Sequence, residues 1–307
     1  MKKYVLKTHG VCKRYGDQYA VDHVDMEVKQ GEIYGFIGRN GAGKTTLIRM
    51  ITGLAHLSGG SIELFGCKDE AGLRKARSRM GVVVEYPALY PNMTAEQNLE
   101  HHRLLTGIQE RACIGKTLEL VGLSGTGNKK VKNFSLGMKQ RLGLAMALLN
   151  DPEFIILDEP TNGLDPAGIV EMRETLKSLV AGRKITILIS SHILAELAQL
   201  ATCYGIIHEG RLIRQLSSEQ LLEECRQSLL IKVDDSQKAA SIIEKNFHPS
   251  RLEVMPENEI RLFDCLDRPD DVNAALVRNG LRVKALSPAG QDLEGYFMQL
   301  TGGVRNA

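Results

Sequence analysis

The sequence has no apolar run near the roughly 18 residues that a membrane-spanning helix needs. Its longest candidates, residues 142–149 and 185–189, are core-sized. The basic start Met1-Lys2-Lys3-Tyr4 is followed by Lys7, Thr8 and His9, not by an apolar segment, which argues against a signal peptide. No CxxC pair occurs. Cys12, Cys67, Cys113, Cys203, Cys225 and Cys265 are scattered, which reads as reduced thiols in a cytosolic protein and argues against a disulfide frame or a zinc site. Charge of one sign is not in excess either. The 39 Lys+Arg face 37 Asp+Glu, leaving no electrostatic case for a nucleic-acid partner or an acidic tail. There is no internal repeat and no low-complexity linker. The mixed composition, 43% hydrophobic and 25% charged, excludes disordered, collagen-like and coiled-coil classes.

Glycine is plentiful. Thirty glycines in 307 residues direct attention to loops where backbone approaches a ligand. Residues 4–10, 20–28 and 32–37 read as strands, the first two separated by Gly16-Asp17. A glycine-rich loop follows, then a helix over 45–53. A turn at 58–61 leads to a strand over 61–65, and another strand covers 80–84. Residues 94–149 are mostly helical, with Thr94 and Glu96-Gln97 resembling a capped start. Strands return at 154–157 and 185–189, separated by a helix around 170–180. This predicts a βαβ arrangement with a helical insertion. Past residue 217, after a helix near 218–225, the pattern becomes strand 229–233, helix 236–246, strands 251–254 and 260–263, helix 269–279, strand 281–286 and helix 292–300. That order predicts a small α+β module of ferredoxin-like type.

Gly38-Arg39-Asn40-Gly41-Ala42-Gly43-Lys44-Thr45 fits the spacing G-x-x-x-x-G-K-[ST] between a predicted strand and a predicted helix. Such glycines let backbone N–H groups surround a phosphate, and the helix start adds favourable dipole potential. Lys44 would reach the β- and γ-phosphates, and Thr45, followed by Thr46, would offer a hydroxyl to Mg²⁺. The other chemical signal is Phe154-Ile155-Ile156-Leu157-Asp158-Glu159, an apolar strand that delivers two carboxylates to the ligand edge of an α/β sheet. Asp158 would hold the Mg²⁺ shell, and Glu159 would orient or deprotonate the attacking water.

With these motifs in this order, the chain resembles the nucleotide-binding subunit of an ABC transporter over about the first 215 residues. The resemblance implies an α/β fold: a P-loop ABC ATPase domain at 1–217 with a helical insertion, followed by the small α+β module at 218–307. It places Tyr15 where the family has an aromatic that stacks on adenine, with Tyr19 a nearby competitor. Phe134-Ser135-Leu136-Gly137-Met138 stands where the family has its Leu-Ser-Gly-Gly-Gln signature. Ser135 and Gly137 are retained there, to bind the γ-phosphate of an ATP held by the opposite subunit. Gly163-Leu164-Asp165 resembles the loop that crosses the dimer interface, and His192 the switch histidine that senses γ-phosphate. His101-His102 lacks metal spacing and reads as structural.

Glu85 takes a position where the family usually has a Gln that contacts Mg²⁺. A carboxylate there binds a cation but cannot donate through an amide. The Glu variant, and a tail running Leu293-Glu294-Gly295-Tyr296-Phe297 to Leu300-Thr301-Gly302-Gly303, resemble the group that protects bacteria against peptide antibiotics such as bacitracin and lantibiotics. The implied function is ATP hydrolysis with Mg²⁺, powering a separate transmembrane permease. The chain would act as a homodimer or paired with a related subunit. It would be cytoplasmic and peripheral at the inner face of the membrane, without nucleic acid. The alternative is a non-transport ABC ATPase acting on ribosomes or DNA. Asn128-Lys129-Lys130-Val131 lacks the acid needed to read guanine, which argues against a GTPase.

Overall fold

The computed structural model describes residues 3–290 and 293–302. Met1-Lys2 of the basic start, Asp292 of the expected last helix and Gly303 of the tail lie outside the described residues. The chain divides into two compact units, Met1–Ser218 and Glu219–Ala307.

The first unit opens with the hairpin β1 (Tyr4–Tyr15) and β2 (Gln18–Lys29). There follow β3 (Ile33–Ile37), α1 (Lys44–Thr52), β4 (Gly59–Leu64), α2 (Glu70–Arg77) and β5 (Met80–Val83). The helical insertion holds α3 (Ala95–Thr106), α4 (Cys113–Leu120) and α5 (Leu136–Leu148). Then come β6 (Phe154–Asp158), α6 (Pro166–Arg183), β7 (Thr186–Ser191), α7 (Leu194–Ala198), β8 (Cys203–His208) and β9 (Arg211–Ser217).

Six strands form a sheet in the order β5-β6-β7-β3-β8-β9, parallel except for the last pair. Every residue of β3, β6 and β7 is buried. Their near-continuous apolar character is what a parallel strand covered on both faces requires. A second sheet, β2-β1-β4, is antiparallel. The core between them gathers Leu6, Val24, Met26, Phe36, Leu47, Ile48, Ile51, Phe154 and Ile156. Helix α3 starts with a reciprocal cap: Gln97 N–H donates to Thr94 Oγ1 at 3.2 Å, and Thr94 N–H donates to Gln97 Oε1 at 2.9 Å.

The expected turn at 58–61 is partly strand. Gly60 has φ +80°, and a Cβ there would lie 2.3 Å from Gly10 O, so two glycines let β4 run against β1 from Gly59 onward. Helices α2 and α7 and strands β8 and β9 add to the predicted elements. Helix α2 turns Leu73 and Ala76 toward the core, but two apolar positions in eight residues are too short a pattern to mark a helix. Strand β8 is a six-residue run behind a five-residue helix, too short for periodicity to separate the two.

Helix α8 (Ser218–Glu224) spans the boundary between the units. The second unit then runs β10 (Ser228–Val233), α9 (Ser236–Phe247), β11 (Leu252–Met255), β12 (Glu259–Leu262), α10 (Pro269–Arg278), β13 (Val283–Ala289) and α11 (Leu293–Leu300). Its sheet is antiparallel, in the order β11-β12-β10-β13. Leu229, Ile231 and Val233 alternate inward from β10 and meet Ile243 of α9 and Val272 and Leu276 of α10 in a separate core.

Candidate functional site

The glycine-rich loop leaves the C-terminal end of β3 and turns into α1 within six residues. Close packing dictates its glycines. A Cβ on Gly38 would meet Ile207 Cγ2 at 2.6 Å and the Ile207 carbonyl at 2.7 Å. Gly43 has φ +106°, and a Cβ on it would lie 2.4 Å from Ala20 O. Gly210 N–H donates to Ala42 O at 3.0 Å, tying the loop to the β8–β9 turn. A cavity of about 280 Å³ opens against the loop, lined by Ala20, Arg39, Asn40, Gly41, Gly43, Lys44, Thr45, Thr46 and Glu159. Gly43→Ala combines a left-handed backbone with a clash against main chain. It should cost about 2 kcal/mol or more in stability and abolish nucleotide binding, checked by thermal denaturation and by titration with a fluorescent ATP analogue.

Lys44 is almost fully buried. Its ammonium donates to Gly38 O at 2.5 Å and Arg39 O at 3.3 Å, and lies 3.1 Å from Glu159 Oε1. That carboxylate oxygen is itself buried, and its contact with Lys44 is an ion pair without hydrogen-bond alignment. The other oxygen, Oε2, lies 2.8 Å from His192 Nδ1, so the imidazole donates to the carboxylate from that nitrogen. Asp158 is 2% exposed. Its Oδ2 accepts from Thr45 Oγ1 at 2.8 Å and its Oδ1 from Ser190 Oγ at 2.6 Å. The register of β6 against β7 pairs Asp158 with Ser190. Glu159 follows with φ +50°, a left-handed backbone that turns its side chain out of the strand toward Lys44. The structure thus brings together Lys44, Thr45, Asp158, Glu159 and His192.

Other expected residues stand apart from this group. Glu85, at φ +60°, is bonded to Arg49 Nη2 at 2.6 Å, and no hydrogen bond among the described residues joins it to Thr45 or Asp158. Tyr15 and Tyr19 both lie near the exposed tip of the β1–β2 hairpin, and neither lines the loop cavity, although Ala20 beside Tyr19 does. Ser135 caps α5 by accepting from Met138 N–H at 3.2 Å. Ser135 and Gly137 do not line the cavity. They sit beside the 163–165 loop instead: a Cβ on Gly163 would meet Leu136 Cδ2 at 3.0 Å, and one on Gly137 would meet Leu164 Cδ2 at 3.7 Å. Asp165 caps α6 by accepting from Gly168 N–H, with Pro166 in the first turn.

The sequence profile of the ABC transporter family matches residues 21–162. The bacitracin transport ATP-binding protein BcrA of Bacillus licheniformis is 46% identical over 299 residues, 97% of this chain and 98% of that protein. The chain belongs to the ABC transporter family. It is an ATP-binding, ATP-hydrolysing subunit of that family. The lantibiotic transport ATP-binding protein SrtF of Streptococcus pyogenes is 41% identical over 222 residues, covering 72% of this chain and 95% of that protein. Among solved structures, a dimeric ATP-binding cassette in a post-hydrolysis state, bound to ADP and Pi, superposes with a TM-score of 0.63 at 25% identity. It covers 69% of this chain and 98% of its own. Among the described residues, no helix of this ABC subunit is long and apolar enough to cross a membrane.

Reading the sequence alone missed Ser190 and Arg49. The only signal for Ser190 was a pair of hydroxyls at the end of an otherwise apolar strand. Arg49 had none, because its partner is 36 residues away. His102, read as structural, is half-buried, and that burial pushes its pKa below the usual imidazole value. Cys12, Asp22 and His23 bring their ligand atoms within 4.8 Å of one another. Both Asp22 oxygens are already taken, Oδ1 by His23 and Oδ2 by Arg211.

Proposed function

We propose that this ATPase powers a separate transmembrane permease that exports, or protects against, peptide antibiotics of the bacitracin and lantibiotic kinds. The observation that carries the reading is the near full-length likeness to BcrA, which extends through the second unit as well as the cassette. The relatives reported above are transporter subunits, which leaves an action on ribosomes or DNA without support. On this reading the chain is cytoplasmic and held at the inner membrane face by the permease, with 1–217 as the nucleotide-binding domain and 218–307 as an accessory module.

The geometry and the family resemblance together support the following roles. Backbone N–H groups of Gly41, Gly43, Lys44 and Thr45, at the start of α1, receive the phosphates of ATP. Lys44 binds them as a buried cation, and Thr46 closes the same wall of the cavity. One tyrosine of the hairpin, Tyr15 in the family's placement, stacks on adenine. Thr45 Oγ1 and Asp158 Oδ2, two hard oxygen donors 2.8 Å apart, fit Mg²⁺. When bound, that ion would neutralise phosphate charge. Glu159 takes up the proton of the attacking water through a carboxylate oriented by Lys44 on one oxygen and His192 on the other.

Ser135 and Gly137 do not reach the loop cavity of their own chain. Their proposed role is to bind the nucleotide of a second cassette, with Gly163, Leu164 and Asp165 at the contact between the two. That cassette would be a copy of this chain or a related subunit. Glu85, at the end of the β5 segment and paired with Arg49, is proposed to approach the metal only when that pair opens.

A susceptibility panel in the native host tests the substrate class. Deletion and Lys44→Ala should both sensitise the cells to bacitracin or lantibiotics and not to unrelated drugs. Unchanged susceptibility across the panel would sink the peptide-antibiotic reading and leave the ATPase intact.

A further inference from the structure

Ser190 lies inside β7 at 0% exposure, two residues before His192, in a strand whose other central side chains are apolar. A fully buried hydroxyl there needs partners, and it has two. Its proton goes to Asp158 Oδ1 at 2.6 Å, and its oxygen accepts the backbone N–H of Glu159 at 2.9 Å. One side chain of β7 therefore holds both carboxylate residues of the neighbouring strand.

Each bond constrains something specific. With Oδ1 bonded to Ser190 and Oδ2 to Thr45, the carboxyl plane of Asp158 is held from both sides. The bond to Glu159 N–H anchors a residue whose φ of +50° is unfavourable for a side chain with a Cβ. That strained turn is what aims Glu159 at Lys44 and His192. With that tether removed, it would relax toward the extended backbone favoured for a residue before proline, here Pro160, and swing the carboxylate away.

We propose that Ser190 is a positioning residue for hydrolysis, acting through Asp158 and Glu159 without touching the nucleotide. The proposal rests on the reading above, in which Glu159 handles the attacking water. It separates Ser190 from Ser191, whose Oγ accepts from Ile193 N–H at 3.0 Å and holds only its own loop.

The test compares full-length Ser190→Ala, Ser190→Thr, Ser191→Ala and Glu159→Gln for turnover, ATP affinity and thermal midpoint. Ser190→Ala should lower kcat about tenfold to a hundredfold, the usual cost of a small misplacement at a reacting centre, with the Kd for ATP within about threefold of wild type. Ser190→Thr, which restores the hydroxyl, should recover at least about a third of wild-type kcat, and Ser191→Ala should stay within about threefold of it. If Ser190→Ala is too unstable to assay, Ser190→Cys keeps the size and donates only weakly, so the same loss is expected of it.

A kcat within threefold of wild type for Ser190→Ala, or for Ser190→Cys in its place, would overturn the proposal. So would equal losses in kcat and ATP affinity, or a Thr variant as slow as Ala. Glu159→Gln distinguishes the two levels. If it too keeps its turnover, the reading of Glu159 fails. If it alone loses turnover, only the role of Ser190 fails.

Discussion

Glu159→Gln is expected to cut steady-state ATP hydrolysis by at least about a hundredfold, the lower range for removing a positioned general base. The amide is nearly the same size, so the fold of the β6 end should survive, and the carbonyl oxygen can still accept from His192. What is lost is the basic oxygen. Affinity for ATP should therefore hold or rise, since Lys44 no longer shares its charge with a carboxylate 3.1 Å away. If two cassettes close around nucleotide, the variant should accumulate as a stable ATP-bound dimer, visible by size-exclusion chromatography with light scattering. Near-normal hydrolysis by Glu159→Gln would remove Glu159 from its proposed role.

The second large effect is at Lys44. Its replacement by Ala removes a buried ammonium that lines the loop cavity. Hydrogen bonds to charged groups contribute about 1.5–3 kcal/mol each. Losing one or two should weaken ATP binding by roughly ten- to ten-thousandfold and bring turnover to background. A structural cost should accompany this, because Glu159 Oε1 would be left buried without its cation. The double variant Lys44→Ala/Glu159→Gln should then regain thermal stability relative to Lys44→Ala alone while remaining unable to bind ATP tightly. Titration and differential scanning calorimetry on the four proteins would read both quantities. A Lys44→Ala variant with wild-type affinity would contradict the assignment of the loop.

The parts of the molecule legible in sequence are those whose chemistry is local. Gly38 to Thr45 carries its own geometry, because the turn, the left-handed positions and the helix start are neighbours in the chain. Strand β6 announces itself as an apolar run ending in two acids. The second unit's β-α-β-β-α-β order could be read from alternation, as in Leu229, Ile231 and Val233. What stayed hidden depends on register between distant segments. The contact of Ser190 with Asp158 exists only because β6 and β7 pair at that residue. The antiparallel sheet of β1, β2 and β4 needs Gly60 to meet Gly10, fifty residues away. Helix α2 has an apolar face of only Leu73 and Ala76 within eight residues, too short a pattern for its sequence alone to declare a helix.

The pairing of Glu85 with Arg49 has a consequence for how firmly the β5 end is fastened to the phosphate-loop helix. Both side chains are about half exposed. An ion pair of that kind contributes about 1 kcal/mol at most. From that contribution alone, about one molecule in six or more would have the pair open at any moment, a population shifted by modest forces. Added salt should raise the open fraction, since screening reaches exposed pairs first. Asp158 and Glu159 are held by bonds in the interior, while this junction is fastened by a contact that thermal motion undoes. A pull on the segment that carries Glu85 would be felt there before it disturbed the chemistry.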